Sequence, residues 1–202
     1  MTEARKIRCR VYILRIVERG DKMRSRFIGG DVFAALLLAL MPANALACEV
    51  SARYGMRIGD VLSLRREDVA KGRFTYKEQK TGKPRRVTMS PDIQRRLLAQ
   101  SGRVWVFEHR TDWRKHRTRQ AVYKDIKRIA KAFRVDNGVS PHSARKLYAV
   151  NAYKRSGGDL ARVKRLLNHS NEAVTMLYAL ADTMGKPVAK RKQVCQKQDR
   201  KK

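Results

Sequence analysis

Acidic residues are what this chain has least of for its size. Against 48 Lys+Arg it sets only 18 Asp+Glu, so its formal net charge is +30 and its pI is near 11.0. A field of one sign resists compaction unless a polyanion neutralises it, and nucleic acid is the commonest polyanion. The bland alternative is a generic cationic protein of the ribosomal or membrane-surface kind. Few carboxylates also argue against metal-dependent phosphate chemistry, which needs clustered acids to hold Mg²⁺. The chain has no DxD and no Glu pair at helical spacing, and it lacks a GxxxxGK[ST] phosphate loop, so nucleotide hydrolysis has no support either.

Cysteine is scarce as well. Cys9, Cys48 and Cys195 are far apart and never in a CxxC arrangement, which excludes a disulfide framework or a zinc site and fits a reducing cytosol. Long hydrophobic runs are missing. The one strongly apolar stretch, residues 32–48, is short of the roughly 20 residues that span a bilayer and is interrupted by Pro42. It also lies too far inside the chain for a signal peptide. It reads as core helix, with no secretion, no membrane anchoring and a cytoplasmic, DNA-associated location expected. No internal repeat is visible.

What is present suffices for one packed domain: 202 residues, 43% of them apolar. Residues 1–27 form an arginine-rich extension with no decisive periodicity. "GGDVFAALLLALM" predicts a helix with Asp31 at its N-cap and Pro42 ending it. "PANALACEVSARYG" predicts a second, opened by Pro42 and closed near Gly55. Then "GDVLSLRREDV" reads as a short helical turn with Val61, Leu62 and Leu64 inward. Residues 72–90 alternate on either side of "KTGK", a hairpin signal, and Ser90 and Pro91 open the next helix. From about 118 to 134, Val122, Ile126, Ile129, Ala130 and Phe133 share one face and lysines and arginines the other. Helices are expected at about 142–156, 159–168 and 171–181, then a basic flexible tail at 186–202. The fold class is mainly α with one small antiparallel β-hairpin.

A metal-free phosphate chemistry remains open: a protein oxygen attacks phosphorus while fixed cations stabilise the transition state. It requires arginines, whose planar forks take two nonbridging oxygens at once, together with a hydroxyl nucleophile and a proton donor. Arg57 follows a helix end, and Lys80 lies in the hairpin. His142 and Arg145 are i,i+3 near a helix N-terminus that favours anions. His169 ends the next helix, and Tyr178 stands nine positions beyond it. Each has an ordinary reading too. Tyr178 follows Val174 and Leu177 as a core tyrosine would, and Tyr148 and Tyr153 compete with it. Arg57 is one arginine among many, while Lys77 and Lys83 share the hairpin with Lys80. His142 is a plausible helix-start residue, and His169 a partner for a helix dipole.

The order and spacing of these segments resemble the catalytic domain of the tyrosine recombinases, the phage-integrase family. "GMRIGDVLSL" is similar to that family's first-arginine motif, with Asp60 in its acidic position, and "KTGKPRRVTM" to its lysine-bearing hairpin. "PHSARKLYA" is similar to the His-x-x-Arg box, and "RVKRLLNHSNEAVTMLY" to the second-histidine and tyrosine box. The coverage runs from about 30 to 182, and four boxes in order are far more specific than one. Departures are Lys146 where the family often has His, and "LNH" for the usual "LGH"; Asn168 can take the same left-handed cap.

The resemblance implies that Tyr178 attacks a DNA phosphodiester to give a 3′-phosphotyrosyl bond and a free 5′-hydroxyl. Arg57 and Arg145 would grip the nonbridging oxygens and Lys80 would protonate the leaving 5′-oxygen. His142 would handle the tyrosine proton, and His169 would hydrogen-bond the phosphate. Neither metal nor ATP nor another cofactor is implied. Partners would be double-stranded DNA and further copies of the chain, as a tetramer on DNA. The domain is expected at 28–185, without the helical clamp domain these enzymes carry ahead of it. DNA grip would then fall to the basic face at 110–134, with Arg114, Lys115, Arg117, Arg119, Lys124 and Lys127, and to the tail. Type IB topoisomerase activity is one alternative, and a DNA-binding protein that keeps the fold without cleavage is another.

Overall fold

The computed structural model describes residues 28–134 and 138–167. Helix α1 spans Gly30–Ala39 and α2 spans Pro42–Tyr54. Two short helices follow, α3 at Ile58–Leu62 and α4 at Arg66–Ala70, where one helical turn was expected. Strands β1 (Arg73–Lys77) and β2 (Pro84–Thr88) form an antiparallel hairpin, then come α5 at Pro91–Gln100 and α6 at Arg119–Ala132. The described chain closes with α7 at Pro141–Arg155 and α8 at Leu160–Leu167. The expected class, mainly helical with one small antiparallel sheet, is the one observed. The helix expected at 171–181, the extension at 1–27 and the tail at 186–202 lie outside the described residues. Among the described residues no helix is long and apolar enough to cross a membrane.

Local chemistry explains most element ends. Pro42 opens α2 because its missing N–H is one the first helical turn leaves unpaired anyway, and Gly55 closes it at φ 66. Asp31 is not the N-cap of α1: Gly29 holds that position and Asp31 sits in the first turn, where its charge faces the positive helix end. Ser90 does stand at the N-cap of α5, but its side chain does not cap. Its N–H instead donates to the Tyr54 hydroxyl at 2.9 Å, which in turn donates to Ser90 Oγ at 3.3 Å. Thr118 caps α6 through the Ala121 N–H, and Ser140 and Ser143 form a reciprocal capping box on α7.

The core lies between α2 and the elements around it. Helix α2 packs on α7 most extensively, and also on α1, α3 and α5. The α6 face predicted from periodicity is buried at Val122, Ile126, Ile129 and Ala130, with Phe133 packed at its edge. Val122, Ile126 and Ile129 each contribute about 1.5–3 kcal/mol by leaving water. Val61, Leu62 and Leu64 point inward as expected. A buried polar joint pins α6 to the start of α2. Asp125 Oδ2 accepts from Asn44 Nδ2 at 2.7 Å and from the Met41 N–H at 2.9 Å, while Arg117 Nε donates to Asn44 Oδ1 at 2.7 Å.

Candidate functional site

The turn from α2 into α3 builds the floor of the site. Gly55 adopts the left-handed conformation, and a Cβ there would stand 2.4 Å from the Tyr148 ring of α7, so only glycine allows this close crossing. The turn delivers Arg57 to the N-cap of α3 in extended backbone and leaves the Gly55 carbonyl pointing at side chains from two other elements. Arg145 Nη1 of α7 donates to that oxygen at 2.7 Å, and Arg85 Nη1 of β2 donates to it at 3.0 Å. Arg85 Nη2 also donates to Tyr54 O at 2.6 Å, and Arg145 Nη2 to Leu167 O at 2.9 Å. Cations thus satisfy the carbonyls at the end of α2 and of the described part of α8, where helix dipoles favour them.

Glu78 sits between these guanidinium groups. It follows β1, is wholly buried, and brings Oε2 within 2.9 Å of Arg57 Nη1 and Oε1 within 3.6 Å of Arg85 Nη1. The Thr81 hydroxyl donates to Oε2 at 2.7 Å. Burial alone would raise the Glu78 carboxyl, but the Thr81 hydroxyl and the Arg57 and Arg145 cations outweigh it and hold it below the usual range. Asp60, one turn after Arg57, accepts the Gln79 N–H on Oδ1 at 3.0 Å and leaves Oδ2 3.9 Å from Arg57 Nη1. There burial wins, and the Asp60 carboxyl is pushed up. Burial also raises the Tyr76 phenol to about 12. Arg145 is brought down to about 10, first by burial and then by the Arg57 and Arg85 charges, and stays cationic at neutral pH.

Arg57 and Arg145 therefore belong to one cluster, joined through Glu78, Arg85 and the Gly55 carbonyl. His142 lies exposed one turn before buried Arg145, at the start of α7, with its N–H donating to Ser140 Oγ at 3.3 Å. Lys80 is exposed in the turn between the strands, two residues past Glu78. His169 and Tyr178 lie outside the described residues. Of the expected DNA face, Arg114, Lys115, Arg119 and Lys124 are exposed and Arg117 and Lys127 half-buried. Arg117 is committed to Asn44, Lys115 pairs with Asp112 at 3.1 Å, and Arg114 lies over the Trp113 ring at 5.4 Å. Beside the cluster runs an open groove of about 420 Å³, lined by Arg53, Arg85, Arg86 and Arg165 together with Tyr54 and Tyr148.

Sequence reasoning missed Arg85, Glu78 and Tyr76. The signal was the period of two: Phe74, Tyr76 and Glu78 share a face, as do Arg85, Val87 and Met89, and Tyr76 pairs directly with Arg85 across the hairpin. Phe74, Val87 and Met89 are buried, so that face points inward and takes its charged members with it.

The mainly helical fold with its small hairpin is shared with solved recombinase structures. The crystal structure of XerA recombinase matches with a TM-score of 0.59 at 16% identity, over 84% of this chain and 67% of that one. A lambda integrase(75–356) dimer bound to a COC′ core site matches at 0.62 and 18% identity, over 79% and 63%. These likenesses establish the fold. The phage integrase family model matches residues 31–184, and the chain belongs to that family. Among its relatives, the integrase of Escherichia phage P2 is 26% identical over 159 residues, 79% of this chain. The probable integrase/recombinase YoeC of Bacillus subtilis (strain 168) is 28% identical over 136 residues, covering 61% of this chain and 69% of that protein. This chain spans 44% of the length of the phage P2 integrase.

Proposed function

We propose that this protein is a site-specific DNA recombinase or integrase that cleaves and rejoins strands through a 3′-phosphotyrosyl intermediate. The observation that carries the reading is the meeting of Arg57, Arg85 and Arg145 in one cluster, with Arg57 Nη1 held by Glu78 at 2.9 Å and Arg57 Nη2 buried without a hydrogen-bond partner. Buried guanidinium nitrogens with no such partner are costly unless a ligand supplies one, and a phosphate oxygen is the fitting acceptor. Tyr178 Oη attacks phosphorus, the bond to the 5′-oxygen breaks, and Lys80 supplies that oxygen with a proton. His142 takes the phenol proton and His169 donates to a nonbridging oxygen. A second 5′-hydroxyl then attacks the phosphotyrosine, which returns Tyr178 and joins a new strand. The energy of the phosphoester is kept in the covalent link, so ATP has no part to play. Fixed guanidinium charge at the developing phosphorane does the electrostatic work.

In this reading residues 28–185 form the catalytic unit, 1–27 a basic extension and 186–202 a basic tail. Double-stranded DNA lies along Arg114, Lys115, Arg117, Arg119, Lys124 and Lys127, and four copies assemble on it. The test is covalent. The protein is incubated with nicked duplex DNA in EDTA, denatured, and resolved by gel. Wild type should give a denaturation-resistant adduct and Tyr178→Phe none. An adduct that survives Tyr178→Phe puts the nucleophile elsewhere. No adduct from wild type on any substrate leaves a DNA-binding protein with this fold. A two-duplex exchange assay then separates a recombinase from a type IB topoisomerase.

A further inference from the structure

Nearly all the buried side-chain polar atoms left short of hydrogen bonds in the described part of the molecule lie in one place. Among the described residues Arg57 Nη2 and Tyr76 OH have no hydrogen-bond partner there, Asp60 Oδ2 and Glu78 Oε1 have only ion-pair neighbours at 3.9 and 3.6 Å, and Gln100 Nε2 lies elsewhere. Native interiors seldom leave such atoms without full hydrogen bonding, so their concentration marks a place where polar partners exchange. The anion at the centre of that place is a side chain of the protein itself. Glu78 turns one carboxylate oxygen to Arg57 at 2.9 Å and the other to Arg85 at 3.6 Å. Two oxygens sharing one negative charge and facing two guanidinium groups is also how a phosphodiester would present its nonbridging pair.

We propose that Glu78 is a positioning residue that stands in for phosphate: its carboxylate holds Arg57 and Arg85 apart in the DNA-free protein and gives up Arg57 when a DNA phosphate arrives. The inference rests on the strand-transfer reading for its effect on cleavage rate, but not for its effect on binding. Two anions cannot share one guanidinium face without repulsion, so phosphate entry and the Arg57–Glu78 contact exclude each other. The geometry suits the exchange. Glu78 Oε1 already faces Arg85, so the carboxylate keeps a cationic neighbour once Arg57 has turned away. Glu78 and Lys80 lie in the same turn, closed by Gly82 N–H to Glu78 O at 2.8 Å and Glu78 N–H to Lys83 O at 3.0 Å, so a DNA contact that draws Lys80 outward also draws on Glu78.

The experiment compares wild type with Glu78→Gln, which keeps the shape and an acceptor for Thr81 but removes the charge. Binding to a fluorescein-labelled duplex of arbitrary sequence is followed by anisotropy across a range of salt. Glu78→Gln should bind roughly three- to tenfold tighter at low salt, with a log–log salt slope steeper by about 0.9, one added phosphate contact. Arg57→Ala in the Glu78→Gln background should erase the gain. Equal or weaker binding by a Glu78→Gln protein with a wild-type circular dichroism spectrum overturns the proposal. Should that variant not fold, the wild-type chain answers by carboxyl ¹³C NMR. Saturating duplex should raise the pH midpoint of Glu78, because an arginine partner is lost, and an unmoved midpoint is equally fatal. On nicked duplex in EDTA, Glu78→Gln should form the covalent adduct faster than wild type. Adduct from neither protein sinks the strand-transfer reading alone and leaves the binding and NMR results to judge Glu78.

Discussion

Arg145 spends its two terminal nitrogens on backbone carbonyls, one at the end of α2 and one at the end of α8, while almost entirely buried. A guanidinium can do both because its donors are fixed in a plane; an ammonium is a point charge and reaches one partner well. Arg145→Lys should therefore lose stability by about 1–3 kcal/mol, one carbonyl being left unpaired. In the strand-transfer reading it should also slow adduct formation by about 100-fold, as removal of a preorganised charge does. Thermal melts and the rate on nicked duplex check the two separately. Cys48 makes a contrast at the same scale. Burial first, and the Asp125 charge second, push its thiol up to about 12, which keeps it protonated in the core.

The joint between α2 and α6 shows what a single carboxylate does for two helices. Burial would raise Asp125, but the Asn44 amide, the Met41 N–H and Arg128 overcome it and hold the carboxyl below the usual range. A carboxyl depressed by folding contributes stability that is present above its unfolded value and lost as pH falls through the folded one. Acidification below about pH 4 should thus loosen α6 from α2. Asp125→Asn should cost about 1–3 kcal/mol at neutral pH, since an amide group would oppose the Asn44 donor, and should flatten the acid limb of the stability curve. Urea unfolding followed from pH 3 to pH 7 measures both effects.

For the molecule as a whole, a charge of +30 would make any association with duplex DNA strongly salt-dependent whatever the chemistry. The structure sorts the basic residues that contribute. Lys124 is exposed on α6, and Arg114 is exposed beside Trp113, whereas Arg117 is tied to buried Asn44. Removing Lys124 or Arg114 by alanine substitution should reduce the salt slope by about 0.9 each and leave the melting temperature unchanged. Arg117→Ala should lower the melting temperature, because it unpairs Asn44. If Lys124→Ala and Arg114→Ala both leave the slope intact, DNA follows another face, and the groove lined by Arg53, Arg86 and Arg165 becomes the place to substitute next.

Much of the fold was legible in the residue pattern because its signals are local. Pro42 and Gly55 bracket α2, Gly82 and the alternation around it make the hairpin, and the stripe from Val122 to Ile129 buries α6. The motif segments likewise pointed to Arg57, Lys80, His142 and Arg145 as a set. Their order in the chain said nothing of which side chains would face one another. Glu78 and Arg85 became part of the cluster only when β1, β2 and the α2–α3 turn came together, and the capping role expected of Asp31 went to the backbone geometry at Gly29. Composition, periodicity and turn chemistry thus determined which elements form and how strongly positive the chain is, since these depend on the residues themselves and their neighbours along the chain. Which charges meet, and which of them stays without a hydrogen bond in the interior, was decided by packing between segments far apart in sequence, because burial and Coulomb interaction depend on distance in space.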